Sequence, residues 1–310
     1  MNDAPLPVDV LLAAKLMPQI VATLEKSVRM LDGRDPAIRE QLVKAHAGTI
    51  RAIATNAHDG ASRELIESLP NLEIIACFSA GLDYVDVAAA KERGIVVTST
   101  SRALNDDVAD VAIAKILLLL RRFAQADRFV REGEWTRGTF PLGLSLKGKK
   151  LGVIGMGAIG SAIAERATAM KMTISYTQRR PAPELPYRFI ANLETLAAES
   201  DILVIACPAT DETRGMVNAG VLKALGPKGW LVNIARGTIV DEAALVAALQ
   251  AGELAGAGLD VFENEPHPHP ALLAMDNVSL SPHMASGTIE TRTAMGDMMI
   301  DSLRQHFAAR

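Results

Sequence analysis

The sequence predicts an α/β protein with mainly parallel sheets. Three observations carry that reading. Short apolar runs alternate with helical patterns along nearly the whole chain. A glycine-rich turn stands between one such run and the helical pattern after it. Apolar residues make up 49% and charged residues 22% of the 310, the balance of a chain that buries a core. At roughly 150 residues per domain, this length predicts two domains.

In chain order, the first strands are expected at Val8–Ala13, Ile50–Thr55, Leu72–Phe78 and Ile95–Thr100. Helical patterns fall at Met17–Met30, Pro36–Ala47, Arg63–Glu67 and Asp86–Arg93, the last closed by Gly94 as a left-handed C-terminal residue. One long helix is expected over Asp106–Val130. A second strand series follows at Lys150–Ile154, Met172–Thr177, Ile202–Cys207, Trp230–Ile234, Gly258–Phe262 and Val278–Ser281. Ser161–Met170 and Ile289–Phe307 read as helices. Arg179–Tyr187 and Glu263–Pro270, each with three prolines, read as loops. The seam between the two series falls around residues 98–108.

Charge and cysteine content exclude several functions. Lys plus Arg number 32 and Asp plus Glu 36, a net charge of −4, which argues against a nucleic-acid surface built on excess positive charge. Cys77 and Cys207 are the two cysteines, too few for a disulfide framework or a multi-cysteine zinc site. His267 and His269 flank prolines with no carboxylate or cysteine cluster beside them, so no metal is expected. The N-terminus carries Asp3 and two prolines and no basic stretch, unlike a secretory leader. The strongest apolar run, Ala112–Leu120, is interrupted by Lys115 and closed by Arg121 and Arg122, and is too short to cross a bilayer. A cytoplasmic protein is the resulting expectation.

Gly155-Met156-Gly157-Ala158-Ile159-Gly160 fits G-x-G-x-x-G between a strand and a helix. The glycines there allow a tight turn, close approach to a pyrophosphate and close helix–strand packing, and the helix N-terminus offers free N–H groups to phosphates. A dinucleotide site is therefore expected on Gly155, Gly157, Ala158, Ile159 and Gly160. A site for NAD usually carries a carboxylate about 20 residues on, to hold the ribose hydroxyls. Here the stretch is Thr177-Gln178-Arg179-Arg180. Paired arginines attract a 2′-phosphate that a carboxylate would repel, so NADPH is expected over NADH, held by Gln178, Arg179 and Arg180.

Ligands of open α/β sheets bind beyond the carboxyl ends of the strands. Cys207-Pro208, Arg236 in Asn233–Gly237, Asp260, Glu265 and His283 all sit at such ends. An arginine, a glutamate and a histidine can thus face one crevice.

These motifs together resemble the D-isomer-specific 2-hydroxyacid dehydrogenases, over Ile50 to Phe307. Gly155–Gly160, Asn233–Gly237 with Asp241-Glu242, Gly258–Pro266 and Pro282-His283 carry the resemblance. Asp106–Asp110, Leu225–Gly229 and Ser286–Arg292 make it closest to the glyoxylate/hydroxypyruvate and hydroxyphenylpyruvate reductases. The resemblance implies two Rossmann-like or flavodoxin-like lobes with an active site in the cleft between them. Residues 1–99 and 286–310 would form the substrate lobe, and residues 100–285 the dinucleotide lobe. It implies His283 as general acid, Glu265 on its other ring nitrogen, and Arg236 on the substrate carboxylate. Backbone N–H groups at Ala80 and Gly81 would grip that carboxylate too. Asp260 would take the nicotinamide carboxamide, Val108 would pack on its ring, and Cys207, Pro208, Ile234, Ala235 and Ser286 would complete the cofactor site. It further implies a homodimer through the nucleotide lobe, with the apolar helix Val111–Leu120, the arm Arg131–Phe140 and Trp135 as candidates.

The expected reaction is reduction of glyoxylate and hydroxypyruvate with NADPH. The alternatives are a reductase of larger 2-oxoacids, phenylpyruvate-type or 2-ketogluconate, with Ile53, Thr55 and Phe78 as candidate pocket walls, and a nucleotide-sensing protein like the C-terminal-binding corepressors. Glu265 argues against a formate dehydrogenase, which pairs its histidine with glutamine. The length and the missing carboxylate near Thr177 argue against a phosphoglycerate dehydrogenase. Thr100-Ser101 stands where the family has Thr-Pro.

Overall fold

The computed structural model describes residues 6–308. They form two units: residues 6–104 with 287–308, and Asn105–Ser286. Residues 1–5 and 309–310, which the sequence assigns to the first lobe, lie outside the described residues, as does most of the segment read for a leader.

The first unit runs β1 (Leu6–Leu12), α1 (Pro18–Ser27), β2 (Val28–Asp32), α2 (Pro36–His46), β3 (Ile50–Asn56), α3 (Arg63–Ser68), β4 (Ile74–Phe78), α4 (Val87–Glu92) and β5 (Val96–Ser99). Its strands are all parallel, in the order β2-β1-β3-β4-β5, which is the flavodoxin-like order. Leu11, Ile53 and Ile75 build its core from successive inner strands.

The second unit runs α5 (Asn105–Arg121), α6 (Phe123–Arg131), β6 (Lys150–Ile154), α7 (Ala158–Ala169), β7 (Thr173–Thr177), β8 (Arg188–Phe189), α8 (Leu193–Ala198), β9 (Ile202–Ile205), α9 (Ala219–Leu225), β10 (Trp230–Asn233), α10 (Glu242–Gln250), β11 (Gly256–Leu259), α11 (Pro270–Leu273) and β12 (Val278–Leu280). All neighbours are again parallel, in the order β12-β11-β10-β9-β6-β7-β8. The order reverses at β6, between β9 and β7. That is the switch point at which doubly wound sheets bind ligands. The last helix, α12 (Ile289–Ala308), returns to the first unit and packs on β4.

Four sequence expectations shift. The helix expected over Met17–Met30 ends at Ser27, because Val28–Asp32 pairs with β1 as an edge strand and Arg29 forms an ion pair with buried Asp9. The helix expected over Asp106–Val130 breaks at Arg122, whose φ is +55°. There the Leu120 carbonyl accepts from Leu144 N (2.8 Å), a partner from outside the helix. β11 begins two residues early and ends at Leu259, which leaves Asp260 beyond the sheet. The unit boundary falls after Leu104 and after Ser286. Thr291 Oγ1 donates to Ala103 O (3.4 Å), which keeps residues 100–104 with the first unit.

Candidate active site

Gly155 closes β6 with φ +93°. A Cβ there would lie 2.7 Å from Cys207 N, so only glycine lets the β6 and β9 ends meet at the switch point. At Gly160 a Cβ would meet Gly155 O at 2.0 Å, which fixes α7 tightly against the turn. Gly157, by contrast, has open space beside it. It precedes α7, whose N-terminus has no side-chain cap. The first N–H groups of α7 therefore point toward a face where an anion can approach. These residues fit the pyrophosphate of a dinucleotide.

Gln178 ties the glycine turn to the end of β7: its Oε1 accepts from Met156 N (3.3 Å), and its Nε2 donates to Arg180 O (2.8 Å). Arg179 and Arg180 follow, both exposed. Neither pairs with a carboxylate among the described residues. Cys207 and Pro208 lie past the end of β9, where burial pushes the Cys207 thiol up to about 11, so it stays neutral near pH 7. Val108 is buried on α5. Arg166 of α7 holds that helix end by reaching Asp110 (2.6 Å) and Asp106 (2.9 Å), which gives the Asp106–Asp110 stretch a structural role.

Three strand ends then converge. After β10, the buried Asn233 side chain accepts from Ala235 N (3.0 Å) and donates to Arg236 O (2.9 Å), so the turn that presents Arg236 is fixed from both sides. Ile234 is buried and Ala235 partly so. After β11, Glu265 Oε1 accepts from Phe262 N (3.0 Å), which bends the loop back on itself. After β12, His283 has φ +49°. Its N–H donates to Asp260 O (2.7 Å).

Asp260 is fully buried, and its carboxylate organises this loop. It accepts from Met284 N (3.1 Å), Ala285 N (2.9 Å) and the Ser281 hydroxyl. Ser286 follows, partly buried. The result is a pair: His283 Nδ1 lies 2.7 Å from Glu265 Oε2, with side chains 35% and 28% exposed. A carboxylate at Nδ1 fixes the orientation of the imidazole ring. Arg236, Glu265 and His283 thus stand on three neighbouring strand ends of one sheet.

Ala80 and Gly81 follow β4 on the first unit, partly exposed. His269 caps α11, its Nδ1 accepting from Ala271 N (3.2 Å). Among the described residues, no group of three His, Cys, Asp or Glu side chains is placed to hold a metal ion. Asn233, Ser281 and Glu242, whose Oε2 accepts from Glu263 N (3.1 Å), stand in or beside the motifs, but the sequence assigns them no role. Ser281 and Glu242 bond the Asp260 side chain and Glu263 N, partners from neighbouring strand ends that no spacing rule reveals.

The NAD-binding domain of D-isomer-specific 2-hydroxyacid dehydrogenases matches residues 113–285, and the chain belongs to that family. Within it, the chain is 46% identical over 303 residues to a glyoxylate/hydroxypyruvate reductase A of Arabidopsis thaliana, covering 98% of this chain and 97% of that one. It is 49% identical over 275 residues to a hydroxyphenylpyruvate reductase of Plectranthus scutellarioides, covering 89% and 88%. Among solved structures, an NADPH-dependent glyoxylate/hydroxypyruvate reductase of Sinorhizobium meliloti, in complex with NADP and malonate, superposes with a TM-score of 0.89. It is 44% identical and covers 97% of this chain and 93% of that one.

Proposed function

We propose that the protein reduces glyoxylate to glycolate and hydroxypyruvate to D-glycerate, with NADPH preferred over NADH. The His283–Glu265 pair, on the same strand-end edge of the sheet as the dinucleotide turn, carries the reading. The relatives named as glyoxylate/hydroxypyruvate reductases support it.

In the proposed reaction, His283 donates the Nε2 proton to the carbonyl oxygen as the carbonyl carbon accepts a hydride. Glu265 holds Nδ1–H throughout and stabilises the imidazolium until its proton leaves. Arg236 and the backbone N–H groups of Ala80 and Gly81 bind the carboxylate, and the planar guanidinium polarises the carbonyl. The nicotinamide, when bound, supplies the hydride. Gly155–Gly160 cradle its pyrophosphate, Asp260 and Val108 position its ring end, and Arg179 and Arg180 bind the 2′-phosphate of NADPH. Cys207, Pro208, Ile234, Ala235 and Ser286 line the remainder. His283 then recovers a proton from solvent.

The reading includes a homodimer acting in the cytoplasm. Trp135 (68% exposed), Leu142 (97%), Val130 and Phe123 are exposed apolar side chains of the second unit, which a second copy would cover. Light scattering at twice the monomer mass is expected. No described helix is long and apolar enough to cross a membrane.

The test is steady-state NADPH oxidation with glyoxylate, hydroxypyruvate, pyruvate, phenylpyruvate and 2-ketogluconate, each repeated with NADH. Highest kcat/KM on the first two acids with NADPH supports the proposal. Preference for the bulky acids moves it to the larger-substrate reading. No turnover at all favours a nucleotide sensor.

A further inference from the structure

Tyr176 stands on β7 and is 1% exposed, one of the largest fully buried side chains among the described residues. Its ring packs on Phe189 of β8, with centroids 5.5 Å apart. The two are register partners in the parallel β7–β8 pair, and Ile190 N donates to Tyr176 O (2.8 Å). A phenylalanine would serve that packing as well. The hydroxyl adds a polar group to the core, which costs stability unless a partner satisfies it. Its partner is not in the sheet. The Tyr176 hydroxyl donates to Ala182 O (3.2 Å) and accepts from Ala182 N (2.9 Å). Both polar backbone atoms of one loop residue thus meet at one buried oxygen.

Ala182 lies in the loop between β7 and β8, just past Arg180. That loop carries the two arginines assigned to the 2′-phosphate. Other features fix it as well. Gln178 Nε2 donates to Arg180 O (2.8 Å), and Leu185 N donates to Ala182 O (3.1 Å). Pro181 and Pro183 restrict the backbone on either side of Ala182. The Arg179 and Arg180 side chains are exposed, so their placement comes from the backbone that carries them. An arginine on a free loop gives up loop and side-chain entropy when it takes a ligand. Fixing the backbone beforehand removes part of that cost.

We propose that Tyr176 is a positioning residue for cofactor choice: its hydroxyl clamps Ala182 so that Arg179 and Arg180 are presented to the 2′-phosphate of NADPH. It acts through the loop, from within the core. This rests on the reading that those two arginines bind the phosphate. NADH lacks that phosphate and is therefore the internal control.

The experiment compares Tyr176→Phe with the parent protein, alone and in the Arg179→Ala/Arg180→Ala background. Calorimetric titration with adenosine 2′,5′-bisphosphate and with adenosine 5′-monophosphate reads binding without turnover. Hydroxypyruvate reduction with NADPH and with NADH gives KM and kcat, and thermal melts serve as the folding check. A hydrogen bond between neutral groups is worth roughly 3- to 10-fold in an equilibrium. Tyr176→Phe is accordingly expected to raise the Kd for the bisphosphate and the KM for NADPH by about 3- to 10-fold. The Kd for the monophosphate, the KM for NADH and kcat with either cofactor should stay within about twofold. In the background without the two arginines, Tyr176→Phe should change nothing further, because no phosphate contact is left to lose. If Tyr176→Phe fails to fold, Pro181→Ala with Pro183→Ala loosens the same loop from its exposed side. That variant is expected to weaken bisphosphate binding in the same direction.

Equal losses with both cofactors would overturn the proposal, since they mark a hydroxyl that only supports the fold. Unchanged binding of the bisphosphate would overturn it as well, and so would a loss that persists without the arginines. If the Arg179→Ala/Arg180→Ala protein binds the bisphosphate as tightly as the parent, the arginine reading itself falls, and this inference with it.

Discussion

His283 Nδ1 sits 2.7 Å from Glu265 Oε2, across 18 residues of sequence and two strand ends. Asp260 holds the histidine's loop from one side, and Phe262 N holds the glutamate from the other. Neither partner needs to reorganise for the pair to form, and such preorganisation is what proton transfer in catalysis requires.

The carboxylate charge in this pair is expected to matter beyond its hydrogen bond. Glu265→Gln keeps an acceptor but removes the charge that stabilises the imidazolium. It should lower kcat by about 10- to 100-fold, and Glu265→Ala by more, within the range of about 100- to 10,000-fold typical of acid–base catalysis. Steady-state rates at neutral pH with saturating NADPH check this. An unchanged kcat for Glu265→Ala would leave the pair without a catalytic role.

Arg179 and Arg180 set the cofactor preference in this account. Replacing both with alanine should raise the KM for NADPH by about 10- to 100-fold, the worth of one or two charge-assisted hydrogen bonds. The KM for NADH should stay within about twofold, because its adenosine ribose carries no 2′-phosphate. Paired titrations with the two cofactors decide it. Equal loss with both would mean that the arginines support the loop rather than read the 2′-phosphate.

Gly155→Ala places a methyl group 2.7 Å from Cys207 N at a backbone φ of +93°. Strain of this kind costs about 1–3 kcal/mol, and the contact adds to it. The variant should melt lower than the parent and should lose the NADPH-induced rise in Tm that a folded-state ligand gives. Differential scanning fluorimetry with and without NADPH reads both effects.

Lys115 links pH to stability. It is 2% exposed on α5, with its Nζ 3.3 Å from Ser279 O, and burial pushes it down to about 8. Asp260 opposes that shift without cancelling it. Below pH 8 the folded chain carries a buried ammonium that the unfolded chain would hydrate, so the lysine costs stability there. Between about 8 and 10.5 the folded state has released a proton that the unfolded state still binds, so this contribution to stability rises with pH. The gap corresponds to about 3 kcal/mol. Lys115→Met should therefore be more stable than the parent at pH 7, by up to about 3 kcal/mol, with the margin shrinking toward pH 10. Urea denaturation at pH 7 and pH 9.5 measures the difference.

Much of the candidate site's placement was legible because its parts sit on strand ends that carry local signatures. Gly155–Gly160, Asn233–Gly237 and Pro282-His283 each follow an apolar run, and parallel sheets gather such ends on one edge. Local pattern was not enough where tertiary pairing decides the outcome. Val28–Asp32 continues a helical pattern yet forms an edge strand, because β1 offers it a partner. Arg122 lies within an unbroken helical pattern, and only Leu144, returning to bond Leu120 O, explains the break. Asp260 read as a cofactor contact, but its hydrogen bonds to Ser281, Met284 and Ala285 depend on strand order, which sequence spacing does not encode. Lys115 read as an interruption of an apolar run. Its burial follows from the bare Gly258 backbone opposite, where a Cβ would lie 3.0 Å from Lys115 Cβ.

The most direct test of the account is hydroxypyruvate reduction by the parent enzyme and by His283→Asn, followed by NADPH absorbance and by chiral analysis of the product. The account predicts one D-glycerate formed per NADPH oxidised by the parent. It predicts a rate about 100- to 10,000-fold lower for His283→Asn, with NADPH still bound by fluorescence titration. A His283→Asn rate within tenfold of the parent's, or a parent that forms L-glycerate or no glycerate at all, would contradict it.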